Sequence, residues 1–365
     1  RLNPENAAAK KRIESLSARI ENQKKEEPSR ALAAEKKDRK AEKPRKKAAL
    51  FAERKTERRG ESVSGHRKFA APRPEKRARL DVPKSPKKTV SEGGTFRFAK
   101  GKVNKYAVAV IIGNRGYSKN SMDIPNVKYA HNDADAVYAY VTRALGYREG
   151  NIIRLRDATQ AQLVSTFGTK ENHRGRLNNW VRPGKSDAFV FYSSHGVPGL
   201  FDGRSYLLPV DADPATPQLN GYPLATLYAN LAKLPARSVT VMLDACFSGG
   251  SAGGALVRSA SSISVVARKP PRTPAGAVVL TAAGMNQVAS WGDDVRLGLF
   301  TRYVLEGLAG AADRNEFGDD NGKVTLAELG KFLKEEMTYQ ARRRFGRRQT
   351  PELKGNAGRV LSTVR

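Results

Sequence analysis

The chain has 365 residues and a formal net charge of +30, from 66 Lys and Arg against 36 Asp and Glu. No run of 18 apolar residues is present, which excludes a membrane-spanning helix of ordinary length. The single cysteine excludes an intrachain disulfide and a cysteine-based zinc site.

The first hundred residues carry much of the charge, with 31 Lys and Arg against 14 Asp and Glu and little aliphatic clustering. We therefore predict a basic, largely disordered N-terminal region over residues 1–104, with one short helix near residues 6–25. Basic clusters at residues 43–47 and 54–59 are suited to nucleic acid or an anionic surface. A solvated linker without a partner is the alternative interpretation.

Residues 105–365 alternate between strand-like apolar runs and segments of helical periodicity, which predicts an α/β domain. Such alternation favours a mainly parallel sheet covered by helices on both faces, with a site at the carboxyl ends of the strands. The predicted strands cover residues 106–113, 151–156, 187–193, 238–245, 277–282 and 360–364. The predicted helices cover residues 129–145, 222–234, 300–308 and 326–339, with one more beginning near Gln160.

Two of these strands end in residues that can perform chemistry. His195 follows the run FVFYS, and Cys246 follows VTVML. A thiolate is a strong nucleophile at neutral pH, and an imidazole can remove its proton and later protonate a leaving amine. Either residue alone is usually structural, but the pair at two strand ends favours a catalytic dyad. The glycine at 196 lets the N–H groups of Gly196 and Cys246 approach an oxyanion.

The motifs around this pair resemble the peptidase core of caspases, metacaspases and prokaryotic orthocaspases. Ser194-His195-Gly196 lies 51 residues before the cysteine of the sequence DACFSG. The resemblance covers about residues 105–365, and further matching segments are YAHNDA at 129–134, LLPVD at 207–211, LTAA at 280–283, GLFT at 298–301 and QTPELKG at 349–355.

The resemblance implies a caspase-like (caspase-hemoglobinase) fold, with a mostly parallel six-stranded sheet sandwiched by helices. It also implies that Cys246 is the nucleophile, that His195 is the acid and base, and that no cofactor is required. Caspases that cut after Asp hold that side chain with arginines, whereas metacaspase-like enzymes cut after Arg or Lys and use acidic residues.

Three residues of this chain match the acidic type of substrate pocket. Asp244 lies two positions before the cysteine, Asp133 lies in the first-helix motif, and Ser193 matches a polar wall. Two carboxylates suit a guanidinium group. As structural alternatives, Asp133 is a charge at a helix N-terminus and Asp244 is a residue that caps a loop.

Calcium, which many metacaspases need, is only a weak expectation here. Between His195 and Asp211 the chain offers one acidic residue, Asp202. Residues 313–328 are similar to an EF-hand loop, but Phe317 takes the first ligand position, so a helix N-terminal acidic turn is the favoured interpretation. The remaining ligand positions of that loop are Asp319, Asn321, Thr325 and Glu328.

A linker-like segment follows the nucleophile at residues 251–275, which are rich in Ser, Gly and Pro. An enzyme that cuts after basic residues would find cleavage sites there, and we predict autocleavage. The candidate sites are Arg258, Arg268, Lys269 and Arg272.

The sequence therefore predicts a cysteine endopeptidase that cleaves protein or peptide substrates after Arg or Lys and processes itself. The alternative is a caspase-fold binding or scaffold protein whose basic tail recruits nucleic acid or an acidic partner. We expect a soluble protein, either in the cytoplasm or, if an upstream signal peptide is removed, in the periplasm or secreted.

Overall fold

The computed structural model describes residues 96–119, 124–199, 202–248, 250–251, 254–255, 271–284 and 286–364. The predicted N-terminal helix, the basic clusters and three candidate cleavage sites (Arg258, Arg268 and Lys269) lie outside these residues.

The predicted helices and strands of the described residues are present, most with ends shifted by one or two residues. The strands are β1 (Val108–Gly113), β2 (Ile152–Arg156), β3 (Asp187–Ser193), β4 (Gly196–Pro198), β5 (Ser205–Leu207), β6 (Tyr222–Pro223), β7 (Ser238–Asp244), β8 (Gly250–Ser251), β9 (Gly254–Ala255), β10 (Val278–Thr281), β11 (Trp291–Gly292), β12 (Leu297–Gly298), β13 (Lys323–Thr325), β14 (Glu352–Lys354) and β15 (Val360–Thr363). The α-helices are α1 (Ala130–Arg143), α2 (Gln160–Phe167), α3 (Arg176–Trp180), α4 (Pro217–Asn220), α5 (Leu224–Ala232), α6 (Leu299–Leu308), α7 (Leu326–Phe332) and α8 (Thr338–Phe345).

Six strands form the central sheet, in the order β14-β10-β7-β3-β1-β2. The five strands from β10 to β2 are parallel, and β14 is antiparallel to β10. The predicted six-stranded, mostly parallel sheet is thus confirmed. Because β3 and β7 are parallel neighbours, their carboxyl ends meet at the same edge, where Ser193 is paired with Asp244.

Alternate residues of each central strand face two separate hydrophobic layers, as the two-residue period of a strand requires. In β3, Phe189 and Phe191 pack into the layer that also holds helices α1, α6 and α7. Val190 and Tyr192 pack into the opposite layer, with α2, α3 and α5. All residues of β1 and β3 are buried, which explains why these strands appear in the sequence as continuous apolar runs.

The residues just before β1 pack against this domain. Phe98 contacts Tyr140 of α1 with ring centroids 5.3 Å apart, and the Gly101 N–H donates to the Arg143 carbonyl at 2.8 Å. Asn104 Nδ2 donates to Asp187 Oδ2 at 2.8 Å. Ordered packing thus begins before residue 105, and the domain boundary at 104 stays a prediction.

The C-terminal part differs from the sequence expectation in two places. The sixth strand of the central sheet is β14, whereas β15, predicted as the last strand, pairs with β13 in a separate two-stranded sheet. The helix predicted over residues 326–339 is divided by a π-helical turn, Leu333–Met337, between α7 and α8. None of the helices in the described part of the chain combines the length and the apolar character that a membrane span requires.

Candidate active site

The carboxyl edge of β3 and β7 opens into one small pocket, and the polar side chains predicted from the sequence line it together. Its enclosed volume is about 20 Å³, room for about one water molecule. The predicted residues in the lining are Asp133, Ser193, His195, Asp244 and Cys246.

His195 is buried, and its imidazole is oriented by two contacts. Nε2 lies 2.7 Å from the Pro125 carbonyl oxygen, and the ring packs on Tyr117 with centroids 4.8 Å apart. A carbonyl oxygen only accepts, so Nε2 carries the proton and Nδ1 keeps its lone pair. Burial lowers the pKa of His195 to about 4, with the hydrogen bond to Pro125 opposing the shift. The imidazole is thus neutral at pH 7.

Cys246 is also buried, with 9% of its surface exposed. Its Sγ accepts a hydrogen bond from the Ala289 N–H at 2.6 Å. Burial raises the pKa of the thiol to about 12, against the effect of that hydrogen bond, and the nearby Asp244 carboxylate raises it further. In this arrangement the thiol is protonated at neutral pH, and the segment that carries Ala289 covers it.

Gly196 lies directly against the cysteine. A Cβ atom at position 196 would come within 2.6 Å of the Cys246 carbonyl oxygen and 2.7 Å of the Phe247 ring, so only glycine fits there. This contact brings the segment after β3 and the segment after β7 together. The oxyanion-binding role of the Gly196 and Cys246 N–H groups stays a prediction.

Asp133 and Asp244 form an acidic pair at the base of the pocket. Asp133 accepts hydrogen bonds from the Gly298 N–H and from Ser193 Oγ, both at 2.8 Å. Asp244 Oδ2 accepts from the Thr301 hydroxyl at 2.7 Å and from its N–H at 3.2 Å. A Cβ atom at Gly298 would lie 2.4 Å from Asp244 Oδ2 and 3.1 Å from Asp133 Oδ2, so the absent side chain leaves the space beside both carboxylates.

Burial is the main cause of the shifted pKa values in this pair. It raises the pKa of Asp244 to about 6, although the two hydrogen bonds from Thr301 lower it. It raises the pKa of Asp133 well above its usual range, and the charge of Asp244 raises it further. No lysine or arginine among the described residues forms an ion pair with either carboxylate.

Sequence reasoning did not assign three residues that support the site. The Tyr117 hydroxyl donates to the Leu208 carbonyl at 2.5 Å and contacts the Ser194 hydroxyl. Gln349, which is fully buried, accepts from the Ser290 N–H at 2.8 Å and donates to the Ala282 carbonyl at 3.2 Å. Gln349 lies in the QTPELKG segment and Thr301 in the GLFT segment, and the resemblance of these segments to the family was the only sequence feature that pointed to them. No sequence feature pointed to Tyr117.

The remaining predicted residues lie outside this pocket. Arg272 is exposed. Asp319 and Glu328 lie in the loop before α7 and at its first turn, where Thr325 Oγ1 and the Glu328 carboxylate form a capping box. The Asn321 side chain accepts from the Lys323 N–H at 2.9 Å.

The sheet and its edge pocket define a protein of the caspase-like class. The family model described as the caspase domain matches residues 106–360, and the chain belongs to this family of cysteine peptidases.

Two solved structures show similarity to this chain. Caspase-1 from Spodoptera frugiperda is 14% identical, with a TM-score of 0.44, over 77% of this chain and 96% of that one. A structural genomics protein from Geobacter sulfurreducens is 18% identical, with a TM-score of 0.44, over 68% of this chain and 92% of that one. No curated protein sequence matched the chain.

Proposed function

We propose that this protein is a cysteine endopeptidase that cleaves peptide bonds after Arg or Lys, with Cys246 as nucleophile and His195 as acid and base. The observation that carries the proposal is the pair of carboxylates, Asp133 and Asp244, in the same pocket as the thiol and the imidazole. This pair supports a cationic substrate side chain beside the reacting sulfur.

The chemistry follows from the protonation states of the two side chains. The lone pair on His195 Nδ1 accepts the Cys246 proton as the sulfur attacks the scissile carbonyl carbon, and the carbonyl oxygen becomes an oxyanion. The N–H groups of Gly196 and Cys246 stabilise that oxyanion. The C–N bond then breaks, the amine leaves with the proton from His195, and a water molecule, deprotonated by His195, hydrolyses the acyl-thioester.

Substrate preference follows from charge. An Arg guanidinium placed between Asp133 and Asp244 would form charge-assisted hydrogen bonds to two carboxylates and relieve their mutual repulsion. An Asp side chain at that place would bring a further negative charge into a buried acidic site. Ser193 contributes a hydroxyl, which already donates to Asp133.

The experiment compares hydrolysis of aminomethylcoumarin peptides that end in Arg, Lys or Asp. We expect cleavage of the Arg and Lys peptides, a rate at least about 10³-fold lower for Cys246→Ala and His195→Ala, and no cleavage of the Asp peptide. His131→Ala is the matched control, because His131 is bonded to Asp157 at 2.9 Å and does not line the pocket.

Cleavage of the Asp peptide in preference to the others would contradict the acidic-pocket assignment. A wild-type protein that cleaves none of the three and binds DNA in a salt-sensitive way would contradict the proposal and support the binding-protein alternative.

Self-processing is part of the same proposal. Arg272 is exposed on the chain after the nucleophile, and Arg258, Arg268 and Lys269 precede it in a Ser- and Gly-rich segment. Basic residues in such a segment are substrates for an enzyme with this specificity. Calcium is not needed for any step of the proposed reaction.

A further inference from the structure

A cluster of three carboxylates lies away from the peptidase pocket, where the chain passes from α6 to α7. One oxygen each from Asp313, Asp319 and Glu328 can be chosen so that all three lie within 4.8 Å of one another. Asp313 ends a short 3-10 turn, Ala311–Asp313, that follows α6. The cluster therefore joins the end of one helix, a loop and the first turn of the next helix.

Asp313 is the residue that points to a ligand. Only 2% of its surface is exposed. Oδ2 accepts from the Gly322 N–H at 3.0 Å, but Oδ1 is buried and has no hydrogen-bond partner. A buried polar oxygen without a partner costs about 1 to 3 kcal/mol, and more where it is charged, so such an oxygen is normally satisfied by an ordered water or a bound ion.

Within the described part of the chain, no lysine or arginine neutralises the cluster, since none forms an ion pair with Asp313, Asp319 or Glu328. This is notable in a chain with 66 Lys and Arg against 36 Asp and Glu. The basic side chains are abundant, yet three carboxylates lie together without one. A metal cation is the counter-ion that fits among three oxygens this close together.

The loop has the features of a cation-binding turn, with one ligand displaced. Asp320 and Gly322 adopt left-handed φ values of 55° and 83°, which turn the backbone sharply. Phe317, at the first ligand position of an EF-hand-like register, is buried against Phe332 with ring centroids 5.1 Å apart. Asp313, four residues earlier, supplies a carboxylate to the cluster instead.

We propose that Asp313, Asp319 and Glu328 bind a calcium ion. Carboxylate oxygens are the ligands that this hard cation prefers, and its flexible coordination suits oxygens from three separate segments, with water and backbone carbonyls completing the shell. Glu328 already accepts from the Thr325 N–H at 2.7 Å and the Asp319 N–H at 3.3 Å, and an ionised carboxylate has lone pairs for an ion besides.

The ion would act as a structural clamp. The Gly322 carbonyl accepts from the Val364 N–H at 2.9 Å, so the loop also holds the chain just after β15. An ion that binds only the folded state stabilises it by RT ln(1 + L/Kd), where L is the free ion concentration, so the melting temperature rises with the logarithm of the ligand excess. The readouts are ion binding and melting, which do not depend on peptidase activity.

The experiment titrates calcium chloride into the full-length protein by calorimetry and measures melting in calcium chloride, magnesium chloride or EDTA. All samples carry Cys246→Ala, so that self-cleavage cannot change them. We expect one calcium bound per chain and a higher melting temperature in calcium than in EDTA. Asp313→Asn and Asp319→Asn should each weaken binding by about tenfold or more.

Asp319 is exposed, so Asp319→Asn keeps the test decisive if Asp313→Asn fails to fold. Glu316→Gln is the matched control, because Glu316 is an exposed carboxylate of the same loop outside the cluster. Equal melting in calcium and EDTA, or equal loss of binding in the Glu316 and Asp319 variants, would overturn the proposal.

Discussion

At the scale of single residues, the acidic pocket works against the stability of the fold. Asp133 and Asp244 are both buried and lie close enough for the charge of one to raise the pKa of the other. Buried groups with strongly shifted pKa values are concentrated at functional sites. Under the proposed specificity, binding of Arg or Lys would offset the free-energy cost of burying the two carboxylates.

We predict that Asp244→Asn raises the free energy of unfolding at pH 7.5 by about 1 to 3 kcal/mol. The amide oxygen can accept both hydrogen bonds from Thr301, while the buried charge is removed. The folded-state pKa of about 6 lies above the ordinary value of 3.8, so the native state holds the proton more tightly. The wild type therefore loses stability relative to the variant as pH rises from 4 to 6, and the difference stays constant above that range.

Urea denaturation of the two proteins between pH 4 and 8 measures this difference, and the variant should also cleave Arg peptides about 10²-fold more slowly. Asp187→Asn is a control of opposite sign. Burial raises the pKa of Asp187, but hydrogen bonds from Arg237, Ser238 and Asn104 outweigh burial and lower that pKa below its ordinary value. The ionised Asp187 therefore stabilises the fold, and Asp187→Asn should destabilise the protein at neutral pH. An Asp244 variant that is less stable than the wild type at pH 7.5 would contradict the argument.

At the scale of elements, the cleft is closed by a loop that Gln349 holds in place. Gln349 lies before β14 and bonds both to Ala282, just after β10, and to Ser290. The neighbouring Ala289 N–H donates to the Cys246 sulfur. The position of the segment that covers the nucleophile is thus set by a buried amide from another part of the chain.

We predict that Gln349→Ala destabilises the protein by about 1 to 3 kcal/mol and speeds iodoacetamide labelling of Cys246 by about tenfold, because local opening exposes the thiol. Mass spectrometry follows the labelling, since Cys246 is the single cysteine.

The matched control is Asn230→Ala. Asn230 is a buried amide of α5 that donates to Phe167 and Thr169 carbonyls at 3.0 and 2.9 Å. It should destabilise the protein to a similar degree without faster labelling. Equal acceleration in both variants would mean that global unfolding, and not the Gln349 contact, controls access to the thiol.

At the scale of the whole molecule, the proposed specificity and the basic composition of the chain predict that the protein is a substrate of its own activity. Incubated at neutral pH, the wild type should yield fragments that end at Arg or Lys, among them Arg258, Arg268, Lys269 and Arg272, whereas Cys246→Ala should stay intact. Mapping the fragments by mass spectrometry checks this. Arg272→Gln should remove only the cut after residue 272, and identical intact bands for wild type and Cys246→Ala would exclude self-processing.

The fold was largely predictable because its central strands are buried on both faces. Continuous apolar runs such as Asp187–Ser193 have strand length. The short strands were harder to find. Glu352–Lys354 has no apolar run because it is an edge strand with two exposed residues, and its place beside β10 depends on long-range pairing.

For the candidate site, the sequence by itself determined the two strand ends and their residues, because these follow from local order along each strand, whereas the acidic pair was implied by the resemblance to metacaspase-like motifs. Only the tertiary structure decided that the thiol and the imidazole are both buried and neutral. It also decided that the segment with Ala289 covers the sulfur and that Gln349 holds this segment in place. It alone brought Asp313 to Asp319 and Glu328. Burial and hydrogen bonds between distant segments set protonation and access, and no local pattern encodes which segments will meet.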